Sequence, residues 1–240
     1  MKNSDKFLSA FNRIDKYLER FQSGDSYITF TQKIKKSESR NAIVRRYKDI
    51  LLEFADLRNA IVHELTNPVF VIAEPNNWAV EQIEQIESEL LKPKTVIPVF
   101  QKKVTHFQAS DSLAELLTEI RDKDYSQFPI YDGANYLGLI TENGITSWMA
   151  KNVEEDLIQF SQTKLSEILP HIGEEGNYQF ISRNESIYIA EEKFKESFKK
   201  GIRLDALLIT HNGKPTENLL GIITTWDVIE IPKHELTLNY

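Results

Sequence analysis

The sequence predicts a two-part protein, an all-α helical bundle followed by a duplicated α/β module, and three observations predict it. Apolar residues recur at helical spacing through residues 4–91. Pro93, between Lys92 and Lys94, interrupts that pattern, and short apolar strands begin only beyond it. Within that second part, Gly221-Ile222-Ile223-Thr224-Thr225-Trp226-Asp227 echoes Gly138-Leu139-Ile140-Thr141-Glu142-Asn143-Gly144, which lies about 80 residues earlier.

Each helix of the first part has a local reason. Over residues 4–22, Phe7, Phe11, Ile14, Leu18 and Phe21 share one face, and Gly24-Asp25 breaks the pattern. A longer helix is predicted over 41–65, with Ile43, Val44, Tyr47, Leu51, Phe54, Leu57, Ile61 and Val62 on its apolar side. Asn67-Pro68 ends it, because proline cannot continue the hydrogen-bond ladder. A third helix runs from Trp78 to Leu91, opened by the polar Pro75-Asn76-Asn77 turn and closed before Pro93. Residues 1–92 are therefore read as one helical domain.

The second part is read as two copies of a strand–helix–strand–strand–helix unit, over about 96–152 and 163–232. Each copy has a charged, periodic helix, then an apolar strand: Phe128-Pro129-Ile130-Tyr131 in one, Ala206-Leu207-Leu208-Ile209 in the other. Each closes with a glycine-led strand that ends in threonine and passes into a helix. The copies differ where chemistry would sit, with Asp227 in the second and Gly144 in the first.

Bulk properties narrow the function classes. With 41% hydrophobic and 27% charged residues, the chain has the composition of a soluble globular protein. No apolar run approaches the roughly 20 residues that span a bilayer, and MKNSDKFLSAF lacks an apolar core of signal-peptide length. A cytoplasmic protein with no membrane partner is expected. The absence of cysteine excludes disulfides, thiolate metal sites and cysteine nucleophiles. No second ligand at metal-binding spacing accompanies His106 or His171, so no metal is expected. The net charge of −7 falls wholly in residues 93–240, since residues 1–92 carry 14 Lys/Arg and 14 Asp/Glu. That acidic half argues against nucleic-acid binding there. In the neutral half, Lys33, Lys35, Lys36, Arg40, Arg45, Arg46 and Lys48 form a basic stretch, either a solvated face or an RNA footprint.

Glycine, two apolar residues, Ser/Thr, two variable residues and Asp, as in Gly221–Asp227, resembles the signature of the cystathionine β-synthase (CBS) domain. The duplication resembles a CBS pair, or Bateman module, over about 96–232. The resemblance implies two domains packed through their sheets, with two clefts related by pseudo-symmetry, and an adenine nucleotide (AMP, ADP or ATP) as regulatory ligand. In one cleft, Asp227 would accept from ribose hydroxyls and Thr224 would hold a phosphate with the N-terminus of the next helix. The adenine slot would come from Val104-Thr105-His106 and from Tyr125-Ser126-Gln127-Phe128-Pro129, with Phe128 and Pro129 as apolar walls. The opposite cleft would be impaired by Gly144, where Asn143 would substitute weakly for the acid, and by Asp205 near the base. Asp227 also fits simply as a helix N-terminal aspartate.

In the helical part, Arg58-Asn59, three residues, then His63 resembles the motif of the HEPN superfamily (higher eukaryotes and prokaryotes nucleotide-binding) over about 4–91. Many members are metal-independent ribonucleases that act as dimers, so the resemblance implies Arg58, Asn59 and His63 as catalytic residues, RNA as partner and a homodimer. Cleavage through a 2′-hydroxyl needs a proton-transfer group near neutral pH, which histidine supplies, and a fixed cation on the phosphate, which arginine supplies. Arg58 and His63 lie about 140° apart around one helix, so a second copy would have to complete the site. Two functions stay open: an adenine-nucleotide sensor whose HEPN-like domain cleaves RNA, and a non-enzymatic regulatory module whose helical domain dimerises or docks a partner.

Overall fold

The computed structural model describes residues 1–21, 28–63, 73–153, 158–171, 176–229 and 231, and of His63 the backbone alone. The chain divides into two compact units, Met1–Lys94 and Thr95–Tyr240.

The first unit is helical throughout its described residues: α1 (Asn3–Leu18), α2 (Phe30–Ser37), α3 (Ala42–Arg46), α4 (Lys48–His63) and α5 (Asn77–Leu91), with a 3-10 turn over Glu19–Phe21. The core is built from the stripes read in the sequence. Phe7, Phe11, Ile14 and Leu18 of α1 are buried, as are Val80, Ile83, Ile86 and Leu90 of α5 and Leu51, Phe54 and Ile61 of α4. Each fully buried aliphatic side chain of this kind contributes roughly 1.5–3 kcal/mol. Phe7 meets Phe54 edge to face at 5.3 Å between ring centroids. Two differences from the sequence reading stand out. The helix expected over 41–65 is broken at Tyr47, which leaves helical geometry (φ −102°, ψ 13°) between α3 and α4. Helix α2 was not foreseen, yet Thr29 caps it by accepting the Gln32 N–H while Gln32 returns the bond, a reciprocal capping box.

Two lysines of the basic stretch, Lys33 and Lys48, are neutralised from within. Lys33 is buried and its ammonium bonds Asp15 at 2.7 Å and Glu19 at 3.3 Å. Lys48 pairs with Glu38 at 2.6 Å, and the Arg45 guanidinium donates to the Glu38 carbonyl. A cation taken out of water needs such partners, and one so held is not available to phosphate.

The second unit repeats one topology twice. Its first sheet has β1 (Phe107–Gln108) parallel to β2 (Gln127–Asp132), and β2 antiparallel to β3 (Asn135–Thr141). Its second has β4 (Tyr178–Ser182) parallel to β5 (Ala206–Thr210), and β5 antiparallel to β6 (Gly221–Ile223). A helix joins the parallel strands in each, α7 (Leu113–Lys123) and α10 (Ile187–Lys199), and a helix follows each last strand, α8 (Glu142–Lys151) and α11 (Thr225–Ile229). Short helices α6 (Val96–Val99) and α9 (Leu165–Ile168) precede the two copies.

These leading segments are exchanged. Val96 donates its N–H to the Glu185 carbonyl at 2.8 Å and Gln101 bridges Gly221, so residues 95–101 lie on the second copy. Leu165 and Ser166 donate to Asp111 and Ala109, and Leu165 and Ile168 complete the core of the first copy with Leu113, Phe128 and Trp148. The sheets meet through Leu139 of β3, Ala206 and Leu208 of β5 and Ile222 of β6. Tyr136 stands edge-on to Tyr178 and Phe180 at this junction.

Candidate functional site

Gly221 sets the geometry of the site. A Cβ at this position would collide with the carbonyl oxygen of Phe100, so only glycine lets the segment ending at Gln101 lie against the start of β6. The next residue, Lys102, is thereby delivered beside the loop that leaves β6.

That loop is ordered by Asp227. Its Oδ2 accepts the Thr224 N–H at 2.7 Å and the Thr224 hydroxyl at 2.8 Å, closing the first turn of α11. Lys102 Nζ reaches both carboxylate oxygens, at 3.1 and 3.2 Å. The first copy solves the same problem differently: Thr141 accepts the Gly144 N–H at 3.1 Å with its own hydroxyl. Replacing Gly144 by an acid in the second copy therefore moves the capping job from threonine to aspartate.

Around this pair lies a cavity of about 390 Å³, inside the range of roughly 300–1,000 Å³ typical of small-molecule sites. Thr105, Tyr125, Ser126 and Gln127 line it from the first copy, and Thr224 and Asp227 from the second. Seven of the ten residues expected around the nucleotide are thus brought together, Val104 included, and His106 is not. Phe128 and Pro129 are not among them: Phe128 is fully buried in the core of the first copy, and Pro129 is buried beside it in β2. Strand alternation turns an aromatic next to a loop inward as easily as outward, so it gives no wall here.

Residues missed in the sequence also line the cavity. Lys102 and Lys103 add two cations to the cavity beside Thr224 and the start of α11. Ile222 joins the expected Val104 in an apolar floor, and Trp226, 77% exposed, gives an aromatic face at the rim.

The sequence of residues 96–151 matches the CBS domain family. The first copy is a CBS domain. Three solved structures share its likeness. A conserved CBS domain protein of unknown function from Thermoplasma acidophilum is 10% identical, with TM-score 0.45, covering 59% of this chain and 71% of that one. The CBS domains of a transcriptional regulator from Streptococcus pneumoniae are 14% identical, with TM-score 0.41, covering 57% and 98%. The CBS domain of a bacterial CNNM/CorC family Mg²⁺ transporter, solved in complex with ATP, is 17% identical, with TM-score 0.40, covering 62% and 95%. The sequence match, not these likenesses, carries the assignment. No curated protein matches the chain.

The opposite side of the CBS domain has a smaller cavity, about 260 Å³, where Thr141, Asn143 and Gly144 face Asn177, Arg203 and Asp205. No acid stands at the position of Gly144. Asp205 is already held by Arg203 Nε at 2.7 Å and Asn177 Nδ2 at 2.9 Å. Asn143, its amide turned to accept, receives the Arg203 guanidinium and is not free to replace the missing carboxylate. The two cavities are unequal in charge and in size.

His106 stands edge-on to Tyr131 at 5.4 Å, and no group of three or more candidate metal ligands occurs among the described residues. No helix among them is long and apolar enough to cross a membrane.

In the helical unit, Arg58 and Asn59 lie on α4 and line a cavity of about 240 Å³ with Asn12, Asp15, Thr29 and Thr31. Arg58 donates to the Asn59 side-chain oxygen at 3.2 Å. The side chain of His63 lies outside the described residues. Of the apolar side predicted from Ile43 to Val62, Ile43, Val44, Tyr47, Leu51, Phe54 and Ile61 are buried within one chain, and Leu57 and Val62 are half-buried.

Proposed function

We propose that this protein is a regulatory module that binds one adenine nucleotide in the cavity containing Asp227 and transmits its occupancy to the helical unit. One observation carries the reading: an acid whose Oδ1 is held in a solvent-screened pair with Lys102, a second lysine and an exposed tryptophan share a cavity built from both halves of a duplicated α/β unit. Asp227 Oδ1 is placed to accept from a ribose diol, Lys102 and Lys103 suit a phosphate, and Trp226 or Tyr125 suits the base. AMP, ADP and ATP all satisfy this chemistry. The match of residues 96–151 to the CBS domain supports the reading. Thermal melting of the full chain with AMP, ADP, ATP and GMP tests it. The adenine nucleotides should raise Tm in a saturable way and GMP should not; no shift with any of them counts against the site.

A second reading concerns the output. Arg58 and Asn59 on the wall of a polar cavity favour a HEPN-like ribonuclease completed by His63, acting on RNA as a homodimer. The internal pairing of Lys33 and Lys48 favours the other role, a helical unit that docks a partner without catalysis. Cleavage assays on the full chain separate the two, and light scattering reports whether it is a dimer.

A further inference from the structure

The Lys102–Asp227 pair crosses the part of the cavity that a ribose would need. Asp227 Oδ2 already accepts two bonds from Thr224 and one from Lys102, whereas Oδ1 accepts, among the described residues, only from Lys102, at 3.1 Å. A ligand hydroxyl must therefore come to the edge that Lys102 now covers. The pair is easily given up: the side chains of Lys102 and Asp227 are 42% and 24% exposed, and solvent-screened ion pairs contribute little. The backbone at Lys102 need not move, because the segment before it is fixed through Val96 and the Gln101–Gly221 bridge. Only the four-carbon arm has to swing.

Displacement takes its Asp227 partner from Lys102, which then stands with Lys103 in a cavity whose other acidic lining residue is Asp124. A nucleoside does nothing for them. A phosphate on the same ligand restores the balance with charge-assisted hydrogen bonds. We infer that Lys102 is an exchangeable counter-ion, holding Asp227 in the empty site and moving to the phosphate of the bound ligand, so that the site selects phosphorylated over unphosphorylated nucleosides.

The inference rests on the adenine-nucleotide reading, and the test keeps the two apart. The full chain, as wild type, Lys102→Met and Lys102→Arg, is titrated calorimetrically with AMP and with adenosine, after melting curves show that each variant is folded. Wild type should bind AMP at least about tenfold tighter than adenosine. Lys102→Met should weaken AMP by about tenfold while adenosine holds or tightens, because Asp227 has lost its competitor; Lys102→Arg should keep the preference. Equal weakening of both ligands, or an unchanged ratio, overturns the inference and leaves the nucleotide site standing. If wild type binds AMP and adenosine equally, the role of Lys102 fails in the same way. If it binds neither, the nucleotide reading fails and this inference with it.

Discussion

The carbonyl oxygen of Phe100 occupies the space that a methyl group on Gly221 would need. The counterpart glycine, Gly138, meets only a side-chain end, Leu169 Cδ2, at 3.1 Å from where a Cβ would stand. The two signature glycines are therefore unequal. Gly221→Ala has to push a backbone segment off β6 and should cost roughly 1–3 kcal/mol, nearer the upper end. Gly138→Ala asks one leucine to shift and should cost less than about 1 kcal/mol. Urea unfolding of both variants checks this; equal losses would mean that the leading segment does not bind β6 as described.

Tyr47 gives the helical unit a dependence on alkaline pH. It is buried, and its hydroxyl donates to Glu89 Oε2 at 2.8 Å. Burial, reinforced by the Glu89 carboxylate, raises the phenol above its ordinary value of 10.0. Because the folded value lies above the unfolded one, this stability is complete below about pH 10 and is lost as pH rises beyond it. Tyr47→Phe should cost about 1 kcal/mol at pH 7 and flatten the loss of stability between pH 9 and about 11. Denaturation midpoints across that range are the measurement, and a slope unchanged in the variant would contradict the assignment.

Much of this architecture is legible in the chain, for reasons that differ by residue. The stripes of Phe7, Phe11, Ile14 and Leu18, and of Ile83, Ile86 and Leu90, repeat at helical spacing and are buried as expected. The paired glycine-led strands locate Thr224 and Asp227. Helix α2 carries a readable start, since Thr29 and Gln32 form a capping box three residues apart beyond Gly24-Asp25, but at 8 residues it is too short to display a helical period. The break at Tyr47 was not: no proline or glycine marks it. Nor was the partner of Asp227, because Lys102 lies 125 residues away and only tertiary folding joins them. Phe128 shows the remaining ambiguity, since period-two alternation does not say which face of a strand meets the core.

Trp226 provides an optical reporter. It lines the cavity and is 77% exposed, whereas Trp148 is buried in the core. Saturating AMP or ATP should change the intrinsic fluorescence by stacking on or shielding this indole. Trp226→Phe should abolish most of the change, with affinity weakened by roughly 1 kcal/mol, the scale of one aromatic contact. A signal that persists in the variant would place the ligand elsewhere.

If the helical unit is a ribonuclease, its chemistry rests on side chains alone, with Arg58 stabilising charge and His63 moving protons. Cleavage should then resist chelator, leave a 2′,3′-cyclic phosphate, and fall by at least about a hundredfold in Arg58→Ala and His63→Ala. RNA left uncut with and without adenine nucleotide, or undiminished cutting by His63→Ala, assigns the unit to docking instead.

The central claim, one nucleotide per chain in the cavity of Asp227, is tested most directly by calorimetric stoichiometry on wild type and Asp227→Ala. The unequal cavities predict a single site in wild type. In the variant, affinity should fall by about 2 kcal/mol or more, the scale of charge-assisted hydrogen bonds to ribose. Two equivalent sites per chain, or a variant that binds as tightly as wild type, would contradict it.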